Sequence, residues 1–160
     1  MGRVKLTALL AVMSIFCAGL VIAQQMPNPY GPNINLATAK KVAAAAAEEA
    51  GKIKVNAVIA VVDAGGNLVY LERFDVVQWG SIDVAIHKAK CATAFKRSTK
   101  AFETVIGGGN TTYLTLDGVS AIEGGVPVIQ DDKIIGAIGV SGGTSAQDGQ
   151  IAQAGAGVIK

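Results

Sequence analysis

The chain has 160 residues, 51% of them hydrophobic and only 5% aromatic, with a formal net charge of +2. That length suits one domain with a substantial core, and the near balance of 14 basic against 12 acidic residues with so few aromatics supplies neither the charge footprint nor the stacking platform that nucleic-acid binding requires. A single histidine excludes any site built from several histidines of one subunit.

Arg3 and Lys5 precede an apolar run from Leu6 to Ile22 that ends in Val21-Ile22-Ala23, the pattern of a secretory signal peptide over residues 1–23. No basic stop-transfer cluster follows, so cleavage after Ala23 is expected, with a periplasmic or secreted product and no membrane association afterwards. Losing Arg3 and Lys5 leaves the mature domain formally neutral. Cys91 is then its only cysteine, so no internal disulfide can form and the domain relies on packing.

Residues 24–34, rich in Pro, Asn, Gly and Gln, predict an extended lead-in acting as a tether, followed by one domain over 35–160. Asn35 is placed to cap a helix running through LATAKKVAAAAAEEAGK, whose alanines let another backbone approach closely, either in the sheet or in a second subunit. The β-branched run from Val55 to Val62, a turn at Asp63–Asn67 and apolar residues from Leu68 predict a hairpin. Its first strand is apolar on both faces, as expected of a strand covered by helices.

The segment WGSIDVAIHKAKCATAFKRSTKAFE predicts a helix capped by Ser81. At 3.6 residues per turn, Ile82, Ala85, Ile86, Ala89 and Thr93 form one stripe and Asp83, His87, Lys90, Ala94 and Arg97 another, with Val84, Cys91 and Phe95 on a third, apolar side. Apolar groups on two sides imply that this helix is covered by more than its own sheet. Gly107 to Gly109 predict a loop without a phosphate-binding fingerprint. VPVIQ, a DDK turn and IIGAIGV predict a second hairpin, where Gly136 and Gly139 admit another backbone or a flat ligand. Gly142 and Gly143 then bend the chain into a short polar helix. Their amides, with the helix start, either hold an anionic group or only shape the turn.

His87 stands four residues after Asp83 and three before Lys90, an arrangement that suits either a solvated face or an axial metal ligand and proton carrier. Cys91 is either a buried small hydrophobe or a second metal-ligand candidate. Lys88, Lys90, Lys96, Arg97 and Lys100 concentrate positive charge, with Arg97 suited to a bidentate grip on a carboxylate and Lys90 adding a point charge. No Ser-His-Asp order, HExxH or CxxC occurs, so nothing in the sequence announces an enzyme.

The segments VVDAGGNLVYLERFD, SIDVAIHKAKCATAF, EGGVPVIQDDKIIGAIGVSGG and QDGQIAQAG together resemble the haem-binding GlcG/HbpS family, itself similar to the C-terminal domain of PduO-type adenosyltransferases. The resemblance covers the chain from about Leu36 onward. It implies an α+β fold of profilin-like layout, with an antiparallel sheet of about five strands flanked by helices, assembled as a homo-oligomer that in the family is often an octamer. It also implies a haem or tetrapyrrole ligand. The alternative is an enzyme that acts on a small carboxylic acid or degrades haem. The expected ligand-binding residues are His87, Lys90, Arg97, Gly124, Gly125, Gly142 and Gly143, with His87 or Cys91 as the iron ligand. The role of His87 rests on the helix argument and not on the resemblance.

Overall fold

The computed structural model describes residues 27–159, and the expected signal peptide lies outside them. Four helices, α1 (Leu36–Lys52), α2 (Ser81–Ala94), α3 (Thr99–Gly107) and α4 (Ser145–Ala156), accompany strands β1 (Val58–Asp63), β2 (Leu68–Arg73), β3 (Gly125–Gln130) and β4 (Lys133–Ser141). The strands form one antiparallel sheet in the order β2-β1-β4-β3. The α+β class is as expected, but the sheet has four strands where about five were expected.

The missing strand has a physical counterpart. β1 pairs with β4 only as far as Asp63 and Gly136, which leaves the first residues of β4 without a neighbour on that side. The lead-in takes the place: Ile134 donates to Pro29 O, Gly31 to Ile134 O and Ile34 to Ile135 O, with a single bridge between Tyr30 and Ile134. The Tyr30 hydroxyl donates to Thr93 O at the end of α2, and Lys96 Nζ lies 4.3 Å from the Tyr30 ring. The segment read as a tether is therefore docked.

β1 alternates between two cores. Ile59 and Val61 join Val42, Ala46, Ile138, Val140 and Ile151 beneath α1 and α4, whereas Val58, Ala60 and Val62 face the side that packs Ala85, Ala89 and Ala92 of α2. Small residues set the spacing of both layers. A Cβ on Gly139 would overlap the Ala85 carbonyl and come within 2.6 Å of Ala89 N, so the close approach expected at this glycine is made by α2 itself and no flat ligand fits there. A Cβ on Gly155 of α4 would stand 2.8 Å from Val42 O and 3.0 Å from Ala46 Cβ, which is how the alanines of α1 are used.

Local signals account for most of the element ends. Asn35 caps α1 by accepting from Thr38 N, and Thr144 forms a capping box with Gln147 on α4. Asp131 and Asp132 both take left-handed angles, as a tight two-residue hairpin turn demands. Two readings need correction. The long helix expected from Ser81 onward is two helices, because α2 stops at Phe95 and Lys96 turns the chain through a left-handed angle. Ser81 does not cap α2: Gly80 occupies the cap position, and the buried Ser81 hydroxyl meets Ser141 Oγ at 3.1 Å.

Candidate functional site

Two regions contain the residues singled out from the sequence. The first is the outward face of α2, where Asp83, Val84, His87, Lys90 and Ala94 are exposed. His87 and Lys90 share this face, one turn apart. Arg97 lies beyond the break after Phe95, so it leaves their stripe. Its Nε donates to Phe95 O, and the guanidinium lies 5.6 Å from the Phe102 ring.

The basic row is not one patch. Lys88 turns into the interior, Lys96 lies over Tyr30, and Lys100 pairs with Glu123 at 3.2 Å. Of the two metal-ligand candidates, Cys91 is buried and its Sγ accepts from Ser120 N. Burial pushes the Cys91 thiol above its ordinary value, against the lowering effect of the Ser120 amide and the Arg97 charge. A buried, protonated thiol is a poor metal ligand. Among the described residues, no cluster of three His, Cys, Asp or Glu groups could hold a metal ion.

The second region is the glycine corner after β4. An anion does occupy it, and that anion is the chain's own Asp148. Gly143 N donates to Asp148 Oδ1 at 2.9 Å, while Thr144 N is engaged by Gln147 Oε1. Asp148 Oδ2 accepts from Lys88 Nζ at 2.8 Å, and the same ammonium donates to Val140 O at 3.0 Å. Lys88 is 1% exposed and Asp148 3%. Desolvation pushes the Asp148 carboxyl up from the usual carboxylate range, and Lys88 with the Gly143 and Gly142 amides pulls it back.

Gly124 and Gly125, expected to touch a ligand, are buried around this pair. Gly124 has φ +131, and a Cβ there would stand 2.8 Å from Lys88 Nζ and 3.0 Å from Asp148 Cβ. Only glycine leaves room for the ammonium to cross. Gly125 lies against the Lys88 carbonyl and donates to Thr99 Oγ1 at 2.9 Å. These two glycines therefore build the interior, while Gly142 and Gly143 are exposed and line an open cleft of about 520 Å³.

Sequence reasoning missed the acidic partners. Besides Asp148, Glu103 accepts from Ser145 Oγ at 2.9 Å and from Glu123 N at 2.8 Å, tying α3 to α4 and to the approach to β3. One signal was available: Lys88 is three residues after Ala85 and four before Ala92, on the buried side of α2, where a lysine needs a carboxylate.

The architecture and the interior ion pair define a small α/β/α domain whose outward α2 face carries the sole histidine. A family model described as "Haem degrading protein HbpS-like" matches residues 34–157, and the chain belongs to that HbpS-like family. It is 42% identical over 103 residues to Protein GlcG of Escherichia coli K12, covering 64% of this chain and 77% of that protein. The crystal structure of HbpS superposes with TM-score 0.73 at 30% identity, covering 81% of this chain and 92% of HbpS. A crystal structure of a PduOC:haem complex superposes with TM-score 0.71 at 29% identity, covering 80% of this chain and 96% of PduOC.

Proposed function

We propose that the chain is an exported, homo-oligomeric binding protein for haem or a related tetrapyrrole. The observation that carries this reading is the accessibility of His87: of the two iron-ligand candidates read from the sequence, it is exposed on α2, whereas Cys91 is buried. The resemblance to a domain solved with haem supports the same ligand class.

The residues fit the group as one wall of a site. His87 would supply an imidazole nitrogen for the iron, Val84 beside it an apolar contact, and Lys90 a cation for a carboxylate side group. Bound haem would supply redox chemistry, while this chain binds and orients it. Among the described residues, His87 lines none of the clefts beside Gly143, Tyr113 and Gly66, and a second copy is the body that would close over it.

Titration of the mature protein with haem tests this. We expect a shifted Soret band, lost in His87→Ala and retained in Cys91→Ala, with Lys90→Ala weakening binding about fivefold through loss of one exposed charge contact. An unchanged band in His87→Ala would overturn the assignment of the ligand.

A further inference from the structure

The cleft beside Gly142 and Gly143 lies apart from the His87 face and plays no part in the reading above. The loop between β2 and α2 forms one wall. In it Val76, a β-branched residue, is held at φ 58 and is 90% exposed, a combination that neither local preference nor burial explains. The opposite wall is the turn Lys54–Asn56, pressed against the glycine corner so closely that a Cβ on Gly142 would overlap the Asn56 carbonyl. Gln147 of α4 completes the lining.

The hydrogen-bonding capacity of this lining is unevenly engaged. The corner amides are occupied by Asp148 and Gln147, so they offer nothing to a ligand. The side chains do. Lys54 has no ion-pair partner among the described residues, and the Asn56 carboxamide makes no hydrogen bond there. Gln147 uses its Oε1 on Thr144, leaving its NH2 group unengaged, and Gln78 uses its NH2 group on Ser81, leaving its Oε1. One cation and three carboxamides therefore face a cleft that no carboxylate lines.

The geometry points to a binding site for a polyhydroxylated monocarboxylate, the chemistry of a sugar acid. One ammonium matches one carboxylate, and carboxamides, which both donate and accept, match hydroxyl groups. Trp79, next in the chain after the lining residue Gln78, is 76% exposed, with the Arg73 guanidinium 4.4 Å from its ring.

The test is amide-resolved NMR titration of the mature protein with gluconate, with glucose and butyrate as comparisons. We expect saturable shifts confined to residues 54–56, 76–79 and 142–147, with gluconate binding more tightly than either comparison. Lys54 and Asn56 are exposed, so their substitution leaves the core intact. Lys54→Gln should weaken gluconate about tenfold, the scale of one charge-assisted contact, and Asn56→Asp should weaken gluconate while sparing glucose. Absence of shifts, shifts mapping elsewhere, butyrate binding as well as gluconate, or an unaltered affinity in Lys54→Gln would each overturn the proposal. The haem Soret titration of Lys54→Gln should match that of the parent protein, which separates this site from the first.

Discussion

At the residue scale, the interior pair Lys88–Asp148 governs more of the molecule than any exposed group. Its two members bind α2 to the first turn of α4, and Gly124 exists as glycine to let them meet. Removing one partner strands a charge away from water, so Lys88→Met and Asp148→Leu should each cost about 3–5 kcal/mol in chemical denaturation. The double variant should cost clearly less than the sum of the two, because neither charge is then stranded. Cys91 gives a pH signature of the opposite surface character. Its thiol is raised by burial, so the folded chain keeps a proton that the unfolded chain releases above about pH 8.5. Stability contributed by Cys91 is thus complete below that pH and falls as pH rises toward the folded value. Denaturation at pH 7 and 9.5 should show a steeper decline for the parent than for Cys91→Ala. The buried thiol was one of the readings open from sequence, but the ion pair was not. Lys88 was read as one of a row of cations although its spacing from Ala85 and Ala92 marks the buried side, and its partner is 60 residues away, beyond the reach of any local spacing.

Elements were legible wherever a local rule decides them. The Asp131-Asp132 turn, the cap at Asn35 and the doubly apolar β1 all follow from neighbours within a few positions. The break between α2 and α3 did not, because KRSTK carries neither proline nor glycine and Lys96 takes its left-handed angle while lying over the Tyr30 ring. The lead-in was read as loose for a similar reason: its composition excludes a helix but says nothing about an unpaired stretch of β4 that offers backbone partners. A chain starting at Asn33 should lose on the order of 2 kcal/mol relative to one starting at Gln24, the scale of the backbone hydrogen bonds at Pro29 and Gly31. Thermal denaturation of the two lengths checks this, with hydrogen exchange at Ile134 as the local readout.

For the whole molecule, the two hairpins and their flanking helices were legible from local pattern, whereas the α+β layout and its count of about five strands came from the family resemblance; four strands form, and the lead-in adds only one bridge to β4. The proposed assembly draws on what a single copy leaves uncovered. His87 is exposed on α2, and Val105 of α3 with Leu114, Leu116 and Ile122 after it are exposed as well. The mature chain is expected to sediment as a multimer at micromolar concentration, and His87→Ala to retain that assembly while losing the haem band. A monomer that still binds haem through His87 would separate the two halves of the proposed function.

The resident carboxylate in the glycine corner has one more effect. Sulfate or phosphate drifting in from solvent meets donors that are already satisfied, and to take them it would have to evict Asp148 and abandon Lys88 in an oily interior. The place that most resembles an anion receptor is thereby closed to bulk ions. Discrimination among acids passes to the longer, movable side chains around it, where a single substitution can retune preference without disturbing the scaffold.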